Sequence, residues 1–353
     1  MPIKTVHPLY LMMISLVCLP GCSTPKTDVP ELDASTVSQR LDLGSDFVSD
    51  RGQTSLDMRS AEDDGGEFDA GLETDAGLPT DAERQTDTGR QSGLDLGKSY
   101  KRGIAFGFES PGDFGAISAG VSWWYNWSPR YNQAVANLYV DHQMDWVPMT
   151  WNGNNPDEIR AFLQVHPNVK YLLTYNEPNF SDQANMTPAY AASIWPVFED
   201  IADEFQVKLV GPAVNFCGGC VVIDGEPVDS DYVVWMDLFF EAFRAQFGRE
   251  PKMDFTALHW YDFGIQDQVE RMVSRYQKPV WVTEFALWRS EDWNTDEFER
   301  NWLLETVAFL EQHPMVYRYA WFTGRRPDFP KINLFAGDGE LTPLGRAYIE
   351  APY

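Results

Sequence analysis

The chain has 353 residues, with 53 Asp and Glu against 27 Lys and Arg and a formal net charge of −26. That length holds one large domain or two ordinary ones. So acidic a chain lacks the cationic surface that phosphate binding requires, which excludes nucleic acid as a partner. Its composition is uneven: all 13 Trp fall between Trp123 and Trp321.

Residues 1–22 have the form of an export signal. Lys4 gives a positive start, and Leu9 to Leu19 is an apolar run too short to span a bilayer. It closes on Leu19-Pro20-Gly21-Cys22, which resembles a bacterial lipoprotein cleavage box with Cys22 as the lipidated residue. Acyl chains there would tether the protein to a membrane without spanning it. A plain signal peptide with an incidental Cys is the alternative. The expected location is therefore exported: an outer-membrane or cell-surface lipoprotein, or a secreted protein. Any membrane contact is expected only through the lipid anchor.

Residues 23–98 hold 18 acidic against 7 basic residues and few large apolar ones. They read as a disordered, self-repelling linker. A loose six-residue echo, Asp69-Ala70-Gly71-Leu72-Glu73-Thr74 then Asp75-Ala76-Gly77-Leu78-Pro79-Thr80, is too short and polar for a solenoid core.

From residue 99 to 353 the texture is that of one folded domain. Strand-like runs fall at Arg102–Phe108, Gly120–Trp127, Asp145–Trp151, Lys170–Tyr175, Val207–Val214, Asp254–Tyr261, Pro279–Phe285 and Val316–Thr323. Several are almost continuously apolar, as strands buried on both faces are. Helix-like stretches between them include Pro188–Phe205, Asp231–Phe247, Ile265–Tyr276 and Thr295–Gln312. Thr187-Pro188 is an N-cap followed by Pro at the first helical position. Eight strands with interleaved helices predict an α/β fold, the (β/α)8 TIM barrel. Glu109 to Ala119 is the shortest crossover, tight for a helix with its loops.

Chemistry gathers where these strands end. The fourth runs out in Tyr175-Asn176-Glu177-Pro178-Asn179, where Pro178 cannot donate to a ladder. The seventh ends in Val282-Thr283-Glu284-Phe285. In a barrel both ends open on one face, so Glu177 and Glu284 are the expected catalytic pair. Two carboxyls across one glycosidic bond can act as acid/base and nucleophile. His259 and Tyr261, ending the sixth strand, suit orienting a carboxylate or binding a sugar hydroxyl. Asn176 is placed to hold a sugar 2-hydroxyl. Trp123, Trp124, Tyr125, Asn126 and Trp127 end the second strand, Trp151 ends the third, and Trp321 falls late in the eighth. Aromatic faces stack on sugar rings, so Trp124, Tyr125, Asn126, Trp151 and Trp321 join the expected substrate-binding set. Strand alternation requires that, of Trp123 and Trp124, one face the barrel and the other the helices. Cys217-Gly218-Gly219-Cys220 leaves three readings open: a local disulfide, free thiols, or a redox or half-metal site. No second Cys pair or His cluster completes a zinc site.

Taken together, Val121-Ser122-Trp123-Trp124-Tyr125-Asn126-Trp127, Trp146-Val147-Pro148-Met149, Tyr175-Asn176-Glu177-Pro178-Asn179, Val210-Gly211-Pro212-Ala213, Asp254 to Tyr261 and Val280 to Phe285 resemble glycoside hydrolase family 128. The resemblance spans about residues 100–351. It implies a retaining β-1,3-glucanase with Glu177 as acid/base and Glu284 as nucleophile, without metal or cofactor. The implied partner is a β-glucan polysaccharide or oligosaccharide, met by a monomer. A hydrolase or transglycosylase of another β-glucan linkage, and a non-catalytic glucan-binding barrel, are the alternatives.

Overall fold

The computed structural model describes residues 97–353, residue 137 excepted. The export segment with Cys22, and the linker up to residue 96, lie outside the described residues. Lys98, assigned above to the linker, belongs to the folded domain. It is buried, and its Nζ donates to the carbonyls of Ser118, Val121 and His142.

All eight expected strand regions carry strand. They are β1 (Arg102–Ala105), β2 (Trp123–Tyr125), β3 in two pieces, β3a (Asp145–Trp146) and β3b (Met149–Thr150), β4 (Tyr171–Thr174), β5 (Lys208–Val214), β6 (Phe255–Trp260), β7 (Val280–Phe285) and β8 (Val316–Trp321). The pairing is parallel throughout, in the order β3a-β2-β1-β8-β7-β6-β5-β4-β3b. The ends of that order are consecutive pieces of chain, parted only by Val147-Pro148. Pro148 has no N–H, so the ladder is interrupted there. The junction still bonds both ways: Val147 N donates to Trp124 O on one side, and Pro148 O accepts from Leu173 N on the other. The sheet thus curls round on itself, as in a TIM-like barrel. Every residue of β6 and β7 is buried, which accounts for their unbroken apolar runs.

Helices fill the crossovers: α1 (Pro111–Ile117), α2 (Pro156–Val165), α3 (Pro188–Phe205), α4 (Tyr232–Phe247), α5 (Ile265–Tyr276), α6 (Asp296–Gln312) and α7 (Pro343–Glu350). The short first crossover admits a two-turn helix because Ser110 caps it, accepting from the backbone N of Gly112 and Asp113. The Thr187 hydroxyl caps α3 by accepting from Tyr190 N, and Thr295 caps α6 by accepting from Phe298 N. Asp296, Glu297 and Glu299 load the first turn of α6, where the helix dipole favours anions.

Inside the barrel, Arg318 stands among the rings of Tyr100, Trp123, Tyr171 and Trp281, 4.4 to 5.6 Å from their centroids, and pairs with Asp145. Cation–π contacts and one counter-ion offset the loss of water around a fully buried guanidinium. Trp123 points inward onto Trp281. A side chain on Gly103 would meet the Trp123 indole at 2.2 Å, so glycine is required where β1 passes under that ring. Trp124 is the outward partner.

Candidate active site

Glu284, in β7, is 3 % exposed and surrounded by donors. Tyr125 OH and Trp127 Nε1 each donate to its Oε1 at 2.7 Å, and Tyr261 OH donates to its Oε2. An indole N–H can only donate, so Oε1 must accept. Tyr125 is the last residue of β2 and Tyr261 follows β6 directly. Burial first, then the Glu284 charge, push both phenols well above the ordinary tyrosine range, so both stay protonated donors.

Glu177 stands three residues past β4 and is 8 % exposed. Its backbone is in the left-handed region, with φ +43°. For a non-glycine residue that conformation costs on the order of 1–2 kcal/mol and needs support. Two hydrogen bonds supply it: Glu177 N donates to Ala213 O in β5, and Phe180 N donates to Glu177 O. The side chain accepts from Asn215 Nδ2 at 3.3 Å, and its Oε1 lies 2.9 Å from His259 Nδ1.

His259 joins the two acids. Its Nδ1 faces Glu177, and its Nε2 lies 3.5 Å from Glu284 Oε1. The ring is fully buried, which alone would lower its pKa. The charges of Glu284 and Glu177, with the hydrogen bond to Glu177, outweigh burial and raise it. A cation-prone imidazole therefore sits between two carboxylates, limiting their mutual repulsion.

The remaining expected residues divide. Asn176 is buried beside Glu177; its Nδ2 donates to Gln183 Oε1, and its Oδ1 makes no hydrogen bond within the protein. Trp151 is half-buried past β3b, and its carbonyl accepts from Asn176 N. Asn126 is half-buried, with Nδ2 donating to Arg130 O. Two expectations are corrected. Trp124 lies on the helix side, 1 % exposed, packed on Phe114, Phe108, Trp146 and Tyr139. Trp321 is fully buried outside the barrel, against Phe285, Trp302 and Tyr348, and its Nε1 donates to Ile332 O. Neither can reach a ligand in the mouth.

Trp127 and Asn215 were missing from the expected set. Trp127 lies past the end of β2 with φ +59°, where strand alternation no longer predicts direction. Asn215 follows β5 directly, and Asn176 lies two residues past β4, so an amide just beyond a strand end is a usable signal. Cys217 and Cys220 are bonded to each other. Their turn braces the loop after Glu177: Ser181 N donates to Gly219 O and Val221 N to Asn179 O. Among the described residues, no group of three or more His, Cys, Asp or Glu is arranged to hold a metal ion.

The family model described as a glycosyl hydrolase catalytic core matches residues 103–348. A solved endo-β-1,3-glucanase of glycoside hydrolase family 128, subgroup II, from Pseudomonas viridiflava is 43 % identical, covering 72 % of this chain and 99 % of that one at a TM-score of 0.67. The chain belongs to the glycosyl hydrolase catalytic core family and is a family 128 glycoside hydrolase. A subgroup I endo-β-1,3-glucanase of the family, from Amycolatopsis mediterranei and solved with laminaritriose, is 25 % identical, covering 72 % of the hydrolase and 100 % of that chain at a TM-score of 0.56. The hydrolase is also 26 % identical over 272 residues to alkali-sensitive linkage protein 1 of Schizosaccharomyces pombe. That match takes in 71 % of the hydrolase but only 44 % of the curated relative's length.

Proposed function

We propose that the hydrolase cleaves β-1,3-glucan with retention of anomeric configuration, Glu284 acting as nucleophile and Glu177 as acid/base. The observation that carries this is the pair of buried carboxylates, on the ends of β4 and β7, bridged by one imidazole. Their unequal surroundings support the division of roles. Glu284 accepts from three donors, which fix its carboxylate in place for attack. Glu177 has one longer amide bond and a histidine, which leave it free to exchange a proton.

In the first step Glu284 attacks the anomeric carbon, the glycosidic C–O bond breaks, and Glu177 gives its proton to the leaving oxygen. In the second, Glu177 takes a proton from water as that water attacks the same carbon, and Glu284 is released from its ester. Asn176 Oδ1 accepts the hydroxyl next to the reacting carbon, and Trp151 supplies a stacking face. The substrate follows from the 43 % identical relative, which is an endo-β-1,3-glucanase. The site belongs to an exported protein, tethered through Cys22 with residues 23–96 as spacer and acting as a monomer. The sequence of residues 1–22 supports export.

Hydrolysis of a laminarin-type glucan by Glu284→Ala and Glu177→Gln is the test. Both should lose at least about 10³-fold in kcat. Wild-type rates in both would discard the assignment.

A further inference from the structure

Phe263, Trp293 and Phe298 remain 43 %, 46 % and 39 % exposed although they touch one another. Their centroids are 5.8 Å apart for Phe263 and Trp293, 5.2 Å for Trp293 and Phe298, and 6.2 Å for Phe263 and Phe298. The three come from the loop after β6, the loop after β7 and the first turn of α6. The rim of the site is continuous with them. Tyr261, on Glu284, contacts Trp288, and Asp262 pairs with Arg289 at 3.0 Å, tying the two loops into one ledge that runs outward from Glu284. An exposed aromatic cluster of this kind marks a contact surface.

We propose that this ledge is an accessory glucan-binding platform, on which a β-glucan chain reaching beyond the cleft stacks its sugar faces. The proposal rests on the glucan reading of the carboxylate site. The surrounding charge identifies the occupant. Glu291 and Asp292 precede Trp293 in its loop and Asp296 and Glu297 precede Phe298, all four exposed, with Glu291 also paired to Arg289 at 3.6 Å. Carboxylates repel an anionic lipid surface but accept hydrogen bonds from the hydroxyls of a neutral polyol. Aromatic faces supply the apolar half of that recognition. A platform outside the cleft engages only chains long enough to leave it, so it discriminates polymer from short oligomer.

The test compares wild type, Trp293→Ala and Trp293→Phe in the intact chain. Three readouts are taken: retention on insoluble β-1,3-glucan, kcat/KM on that polymer, and kcat/KM on a glucose trimer of the same linkage. Trp293→Ala should lower retention and polymer kcat/KM by about three- to tenfold, the loss of one aromatic stacking contact. Its trimer kcat/KM should fall by a smaller factor, and Trp293→Phe should recover most of the retention. Unchanged retention in Trp293→Ala overturns the platform, as does an equal loss on polymer and trimer, which would make Trp293 a structural residue. Retention on phosphatidylcholine vesicles that depends on Trp293, without retention on glucan, also overturns it. If the wild type hydrolyses neither substrate, the catalytic reading fails, while retention still reads the platform.

Discussion

Glu299 offers a sharp test of how the rim of the site is held. It lies in the first turn of α6, 1 % exposed, and accepts from Asn294 Nδ2 at 2.9 Å. Asn294 Nδ2 also donates to Arg289 O, so the pair anchors the loop that carries Trp288 and Trp293. Burial, against weaker opposition from Asn294, the Leu287 backbone and Lys331, pushes the Glu299 carboxyl up from 4.5 to about 7. Between those values the folded protein keeps a proton that the unfolded chain has released. The contribution is therefore fully present below about 4.5 and is lost as pH rises through about 7. At ~1.4 kcal/mol per unit the displacement is worth ~3 kcal/mol. Glu299→Gln keeps an acceptor for Asn294 and cannot ionise. Urea unfolding at pH 4.5, 6, 7 and 8 should show the variant gaining about 3 kcal/mol on wild type across that range. A difference that stays constant with pH would refute a buried, proton-holding Glu299.

Two further outcomes follow from the carboxylate surroundings. Trp127→Phe keeps a ring but removes the indole donor to Glu284, a charge-assisted bond worth ~1.5–3 kcal/mol; kcat on glucan should fall by about 10- to 100-fold, with circular dichroism unchanged, and an unaltered kcat would remove Trp127 from the site. Cys217→Ser with Cys220→Ser opens a four-residue loop whose closure contributes about 2 kcal/mol on a chain-entropy basis. Its thermal midpoint should drop by a few degrees, with a smaller loss in kcat through Asn215 and Glu177. An unchanged midpoint would mean that the backbone bonds to Ser181 and Val221 suffice.

Much of this architecture can be read before folding. α3 and α5 occupy the stretches their patterns predict, because Thr187-Pro188 fixes one start and amphipathic spacing fixes the other. Strand interiors were legible because burial on both faces leaves long apolar runs. The break in β3 was readable in principle, since Pro148 removes a ladder donor, but the apolar run masks it. α2 is not among the helices named from the sequence, although Pro156 opens it and Ile159, Phe162 and Leu163 form its buried face. Glu177 and Glu284 stood out because acids are rare at the ends of buried strands. The aromatic residues were harder. Trp124 and Trp321 have the right position along their strands and the wrong face, and a sheet that curls onto helices buries both faces in similar residues. Trp127 escaped for the opposite reason: its direction is set by a left-handed backbone beyond the strand, which no periodicity encodes.

The central claim is that Glu284 attacks the sugar while Glu177 passes the proton. Its most direct measurement is trapping the covalent intermediate with a 2-deoxy-2-fluoro β-glucosyl oligosaccharide, followed by peptide mass mapping. The glycosyl mass should appear on the peptide carrying Glu284 and vanish in Glu284→Ala. A label on Glu177, or release of the inverted anomer by the active wild-type enzyme, would contradict the account.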